Sequence, residues 1–312
     1  MQLIRDSIDL SRYMSEPSVE HKIDPASDWI SGVIDHFYKP DDSPKIRPGW
    51  RNLAKDFVYR DAEVTLWAGI NGHGKSQVVG QMMLDLLMQG EKVCLASLEM
   101  SPTRTMARMA RQAWGGDQPG IDFLKQFGEF TDGKLWIYDH VGSSNPRTML
   151  AVIRFAIDKF QVKHFVVDNL MKVIAGEDDY NAQKDFVNGL CTIAHDTGCH
   201  IHLVLHVKKG RTEQDQPGKF DIKGSGAITD LVDNVFIVWR NKGKEDSFRG
   251  GDMARIDEPD ATLKLEKQRN GETEGSYFFW FDPNSFQYLE SRHDQAKRYS
   301  VENRVSLEEI EI

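Results

Sequence analysis

The run Gly69-Ile70-Asn71-Gly72-His73-Gly74-Lys75-Ser76 constrains this chain more than any other stretch, because it fits G-x-x-x-x-G-K-[ST] in the context such a loop needs. A strand-like run, Val64-Thr65-Leu66-Trp67-Ala68, precedes it, and Val78, Val79, Met82, Met83, Leu86 and Leu87 follow at helical spacing. Glycines let the backbone curl so that successive N–H groups face phosphate oxygens, and the following helix adds its positive end. Lys75 then reaches the β and γ oxygens of a nucleoside triphosphate. The expected nucleotide-binding set is Gly69, Asn71, Gly72, His73, Gly74, Lys75, Ser76 and Gln77, with Ser76 also a Mg²⁺ ligand. The competing reading is a glycine-rich turn that happens to end in Lys-Ser; the strand before it and the helix after it argue against that.

Beyond the loop, strand and helix signals alternate. Gly90 closes the first helix, Val93–Leu98 is an apolar strand that delivers Glu99, and Ser101-Pro102 opens a helix running through Arg111. Leu135–Tyr138 is strand-like, Asn145-Pro146 opens a helix carrying Ile153, Ala156, Ile157 and Phe160, and His164–Asp168 is a strand ending in a carboxylate. A helix around Phe186–His195 and a strand over His200–Val207 follow. This alternation predicts an α/β fold, a mostly parallel sheet with helices on both faces, whose ligands lie beyond the C-terminal strand ends. Lys75, Glu99 and Asp168 then share one edge. Asn234–Trp239, Ala261–Leu265 and Tyr277–Phe281, with polar glycine-rich connections, predict a C-terminal hairpin extension of that sheet.

The expected domain spans residues 50–290, after an arm at 1–49 and before a charged tail at 291–312 read as disordered or partner-docking. In the arm, Trp29, Ile30, Val33, Ile34 and Phe37 recur at helical spacing over about 27–38. That stripe packs either on its own domain or on a neighbouring subunit, and the periodicity leaves both open. A formal net charge of −9 argues against coating nucleic acid over the whole surface, yet leaves room for a local basic channel. Basic residues and glycines do gather between His206 and Ala227: Lys208, Lys209, Arg211, Lys219, Lys223, Gly224 and Gly226, diluted by Glu213, Asp215 and Asp221. No apolar run reaches membrane-span length, the first residues lack a signal-peptide core, and three cysteines form no disulfide framework. A reducing, cytosol-like compartment and no membrane are expected. Cys191, His195, Cys199, His200 and His202 superficially resemble a zinc set, but no C-x-x-C pair occurs.

Hydrolysis of a γ-phosphate needs a metal, an oriented water and positive charge to meet the transition state. Asp168 at a strand end fits the carboxylate that holds the metal with Ser76, although many buried strands end in Asp. Glu99 fits the base that orients water, against the alternative of a helix-start Glu ahead of Ser101-Pro102.

Taken with the P-loop, Ser97-Leu98-Glu99-Met100, Val166-Val167-Asp168-Asn169, His206, Ile222-Lys223-Gly224-Ser225-Gly226-Ala227-Ile228 and Lys267-Gln268-Arg269-Asn270-Gly271 resemble, in order and spacing, a known family. It is the RecA-like motor domain of ring-shaped replicative DNA helicases: DnaB, mitochondrial Twinkle and the phage primase-helicases. The resemblance covers roughly residues 50–285. It implies that Arg269 is an arginine finger reaching the neighbouring subunit's γ-phosphate, assisted by Lys267, and that His206 senses the γ-phosphate. It implies further that Arg240 and Phe281 sandwich the base, and that Lys208, Lys209, Arg211, Lys223, Gly224, Ser225 and Gly226 hold single-stranded DNA in a central channel. Expected partners are forked DNA, copies of the chain in a hexameric or heptameric ring, and a primase or polymerase. Expected cofactors are Mg²⁺ and ATP or another NTP such as dTTP. The compartment is the bacterial or phage-infected cytoplasm, or the mitochondrial matrix for a Twinkle-like protein. A His at position 206 is closer to the Twinkle and phage branch. A RecA-type recombination ATPase and a non-motor DNA clamp share the P-loop and stand as alternatives.

Overall fold

The computed structural model describes residues 2–5, 8–14, 25–38, 45–174, 176, 179–207, 215–222 and 226–301. In chain order, β1 (Gln2–Arg5), α1 (Ser11–Met14), α2 (Ile30–Tyr38) and α3 (Leu53–Asp56) lead into β2 (Val64–Gly69) and α4 (Lys75–Met88). Then come β3 (Val93–Ser97), α5 (Pro102–Trp114), α6 (Ile121–Thr131), β4 (Leu135–Asp139), α7 (Pro146–Phe160) and β5 (His164–Asp168). The remainder is α8 (Tyr180–Thr197), β6 (His200–His206), α9 (Gly226–Leu231), β7 (Asn234–Arg240), α10 (Lys242–Arg249), β8 (Ala261–Gln268), β9 (Gly275–Asp282) and β10 (Gln287–Leu289).

Every residue of β2, β3 and β5 is buried, as strands covered on both faces require. They belong to one ten-stranded sheet of order β1-β4-β3-β5-β6-β2-β7-β8-β9-β10. Pairing is parallel from β1 through β7 and antiparallel from β7 to β10. The α/β expectation and its hairpin extension are therefore met. Side chains alternate between two cores, as a period of two dictates. Leu66 and Ala68 pack with Val152, Ile153, Phe186 and Leu190 of α7 and α8, whereas Trp67 packs with Met82, Met83 and Met109 of α4 and α5.

Two terminal segments differ from the sequence reading. Gln2–Arg5, expected to be unpatterned arm, forms an edge strand along β4 and buries Ile4. A four-residue strand is too short to show a period. Residues 291–301, assigned to the tail, lie on the domain: Tyr299 and Val301 are buried. The Tyr299 hydroxyl donates to Asp85 Oδ1 of α4 at 2.9 Å, and Gly49 N donates to Oδ2 at 3.0 Å. Burial pushes the Asp85 carboxyl up to about 6, opposed by Lys297 and by these two hydrogen bonds. Tyr299→Phe should leave Oδ1 short of a buried donor and cost about 1–2 kcal/mol, seen as a lower urea midpoint with an unchanged slope. No shift in midpoint would mean that the tail contributes nothing to folding.

At the opposite, N-terminal end of the central strands, three histidines meet. The His200 and His202 rings stack with centroids 4.5 Å apart, and His164 Nδ1 lies 3.2 Å from His202 Nε2. His200 Nδ1–H donates to the Arg60 carbonyl at 2.6 Å, so its Nε2 accepts from Thr65 Oγ1 at 2.8 Å. This cluster is core, and among the described residues no group of three or more His, Cys, Asp and Glu is arranged to hold a metal. No described helix is long and apolar enough to cross a membrane.

Candidate nucleotide-hydrolysis site

The parallel strands end together, and the side chains just beyond β2, β3, β5 and β6 line one cavity: Asn71, Gly72, Gly74, Lys75, Ser76, Gln77, Glu99, Asp168 and His206, with Arg108 and Asn169. Its floor is the loop from β2 to α4. Gly74 sits at φ +86°, and a Cβ there would lie 1.9 Å from the Tyr288 hydroxyl, so only glycine fits on both counts. Gly69 is equally tight, since an added Cβ would lie 2.4 Å from the Val238 carbonyl of β7. The curled backbone carries Lys75 over the loop, where its Nζ donates to the carbonyls of Gly69 and Ile70, each at 2.9 Å.

Ser76 Oγ donates to Asp168 Oδ2 at 2.9 Å. A hydroxyl and a carboxylate oxygen side by side are the hard donors Mg²⁺ takes, so this pair fits the metal that the family implies. Asp168 is followed by a cis peptide to Asn169. Asn169 Nδ2 donates to Glu99 Oε1 at 2.9 Å and lies 3.1 Å from His206 Nε2, which ties the β3 carboxylate to the β6 histidine.

The charges are mutually dependent. Burial lowers the Lys75 ammonium to about 8, while Asp168 and Glu99 pull it back toward the charged form. Burial likewise raises Asp168, opposed by the Ser76 hydrogen bond, Arg108 and Lys75. An anionic ligand that favours charged Lys75 would thus be met by a cation already poised between two carboxylates.

Arg108 and Asn169 are site residues that sequence reasoning did not single out. Arg108 Nη1 donates to Met100 Sδ at 3.3 Å, while its buried Nε has no partner. Its place on the second turn of α5, nine residues beyond Glu99, follows from how that helix crosses the cavity, which sequence spacing does not reveal. Asn169 had a signal in its position directly after Asp168.

The other expected site residues fall elsewhere. The His73 ring is buried and its Nδ1 accepts from Arg240 N at 3.0 Å, so the side chain anchors the loop to β7. Arg240 and Phe281 do come together, with the guanidinium 5.1 Å from the ring centroid and Arg240 Nε also paired to Glu245. A base slotted between them needs roughly 7 Å, two stacking distances, so the pair must part to admit one. Lys267 and Arg269 do not line the cavity. Lys267 Nζ donates to the carbonyls of Thr229 and Val232, both at 2.7 Å. Arg269 Nη2 donates to the Asp230 carbonyl at 2.8 Å while Nη1 pairs with Asp233 at 3.1 Å. Together they cap the C-terminal end of α9, where cations oppose the helix dipole. Lys208, Lys209, Arg211, Lys223, Gly224 and Ser225 lie outside the described residues, and Gly226 is the first residue of α9.

Known proteins share this fold. Residues 39–212, more than half of the chain, match the AAA domain family. The Twinkle homolog protein, chloroplastic/mitochondrial, of Arabidopsis thaliana is 24% identical over 217 residues, which are 63% of this chain and 30% of that protein. The chain thus spans under a third of the length of this curated relative. A solved ATPase domain superposes with a TM-score of 0.69 at 16% identity, covering 86% of this chain and 99% of that one. A DnaB-like replicative helicase, solved for its interactions with primase, gives 0.68 at 15% identity over 86% of this chain and 68% of its own. At those identities the structural likeness speaks for the fold. Together with the P-loop, the paired Ser76 and Asp168 and the parallel sheet order, these matches place the chain in the AAA domain family, with the RecA-like fold of replicative-helicase ATPase domains.

Proposed function

We propose that this chain is the NTP-driven motor of a ring-shaped DNA helicase that moves on single-stranded DNA and separates a forked duplex. One observation carries the reading: Lys75, Ser76, Glu99, Asp168 and His206 converge on one cavity, whereas the Lys267 and Arg269 pair stands outside it on the same chain. A site with a Ser–Asp pair for a metal, a base and a sensor, whose expected finger arginine Arg269 stands outside it while Arg108 lines its wall, would be completed by the Arg269 of a second copy.

In this reading Lys75 and the P-loop amides hold the triphosphate of ATP or another NTP, dTTP included. Glu99, held by Asn169, orients and deprotonates the attacking water, and the same Asn169 links that carboxylate to His206. Mg²⁺, when held by Ser76 and Asp168, neutralises charge on the phosphate oxygens. Arg269 of a neighbour would meet the charge that develops on the γ-phosphate, and Arg240 and Phe281 would open to stack the base. Ile30, Val33 and Ile34 of α2 are exposed, which supports docking of that helix on a neighbouring subunit in a ring of six or seven. Lys208, Lys209, Arg211 and Lys223, with Gly224, Ser225 and Gly226, would then hold a central strand. A primase or polymerase is the expected working partner, in a bacterial or phage-infected cytoplasm or a mitochondrial matrix.

The test is strand separation. NTP-dependent unwinding of a forked duplex is expected, along with loss of rings when residues 1–45 are removed. Hydrolysis without any unwinding would sink the motor in favour of a DNA clamp, and filaments with strand exchange would favour a recombination ATPase.

A further inference from the structure

Phe220 is 91% exposed, more than any other large apolar side chain among the described residues. It does not stand on a loose strand. Gly218 N donates to Asp221 Oδ2 at 2.8 Å and Asp221 N to the Gly218 carbonyl at 3.0 Å, closing a one-turn 3₁₀ helix over Lys219–Asp221. Ile222, next in the chain, is buried and forms an antiparallel bridge with Val207. That bridge ties the turn to the end of β6, one residue beyond His206 at the nucleotide cavity. A built turn therefore presents an aromatic ring to solvent, forgoing the burial a Phe side chain normally gains.

The turn itself carries a cation: Lys219 Nζ lies 5.8 Å from the Phe220 ring centroid, and along the sequence Lys208, Lys209 and Arg211 precede the turn and Lys223 follows Ile222. In a chain of net charge −9 this stretch runs against the overall balance. An aromatic face among ammonium groups is how single-stranded nucleic acid is held without sequence preference: cations track the phosphates, and the ring takes one base by stacking.

We propose that Phe220 is a stacking platform for a nucleobase of the bound single strand. The inference rests on the single-stranded DNA reading above and deepens it, because it assigns a base contact where the basic residues read only the backbone. The Val207–Ile222 bridge means that a stacked base is held by the same strand that carries His206.

The experiment measures equilibrium binding of a fluorescent oligo-dT and of an abasic deoxyribose-phosphate oligomer of equal length to the full chain, with a non-hydrolysable NTP present. Wild type, Phe220→Ala and Phe220→Tyr are compared, with sedimentation of each. The expected result is about 10-fold weaker oligo-dT binding for the Ala variant, one base stack in size, and wild-type binding for Tyr. Abasic binding and the salt slope should not change, since no phosphate contact is lost. Equal weakening on both oligomers, or none on oligo-dT, overturns the platform. So does a change in sedimentation that accounts for the loss, which would make Phe220 a contact between subunits. If wild type binds the abasic oligomer as tightly as oligo-dT, the strand is held by its backbone alone and the platform falls while the DNA reading survives. If wild type binds neither, the DNA reading falls and takes the platform with it.

Discussion

Arg269→Ala is expected to lower NTP turnover by about 10³–10⁵-fold, the range that arginine fingers supply, while the chain still folds and still binds nucleotide. The geometry explains why the losses separate. The guanidinium is half exposed and lies on the carbonyls at the end of α9 and on Asp233, so its removal costs folding only about 1 kcal/mol. Its own chain's Lys75, Ser76 and Asp168 are untouched. If the arginine completes a neighbour's site, mixtures of variant and wild type should lose activity more steeply than dilution predicts, because each variant subunit disables the site beside it. Loss in simple proportion would place the arginine's effect within its own chain. Lys267 and Arg269 also hold the C-terminal end of α9.

The second large effect concerns acid. His200 in the folded chain takes a proton only near about 4, because burial disfavours its charged form, the Arg60 carbonyl partly offsets this, and the Arg60 guanidinium adds to it. His164 and His202 are held well below the usual histidine range, mainly by burial and then by His200, with Lys163 adding to it for His164 and His164 for His202. In the unfolded chain each protonates near 6.5. Between those values the unfolded state binds more protons, so this stabilisation is complete above about pH 6.5 and is lost as pH falls toward 4. For His200 alone the span corresponds to about 3 kcal/mol. Of the groups facing the cluster, Glu91 at 3.6 Å from His164 Nε2 favours a proton there, while Lys163 and Arg60 oppose one, and burial outweighs the carboxylate.

Asp85 works the other way. Its folded carboxyl is pushed up to about 6, so acidification between 6 and the ordinary carboxylate value adds stability of similar size. The wild-type profile alone would therefore understate the histidine effect, and the comparison must be with His200→Gln. Urea unfolding of both at pH 7, 6, 5 and 4.5 should show the gap between their stabilities shrinking by about 2 kcal/mol as pH falls to 4.5, because Gln has no proton to take. Parallel curves would mean that His200 titrates alike in folded and unfolded chains.

Much of this molecule is legible without its coordinates. Apolar runs such as Val64–Ala68 and His164–Val167 must be doubly covered strands, and the G-x-x-x-x-G-K-[ST] run between strand and helix fixes a phosphate loop by local backbone geometry alone. These signals are local: period, punctuation and glycine conformation act over a few residues. The same reasoning fell short wherever a partner lay far along the chain. Gln2–Arg5 pairs as a strand along the edge of β4, and Tyr299 is held by Asp85, 214 residues away, and by the Ala113 carbonyl. Asn169 gains its role from Glu99 and His206 on two other strands, and Arg108 from the angle at which α5 crosses the cavity. His73, inside the most readable motif of all, turns its ring to β7, where its Nδ1 accepts from Arg240 N. The sequence by itself determined the kind of fold and the kind of chemistry, since both follow from short-range pattern. Only the tertiary structure decided which side chains share the cavity and which hold it in shape, because hydrogen bonds and burial between distant segments are set by how the sheet brings them together.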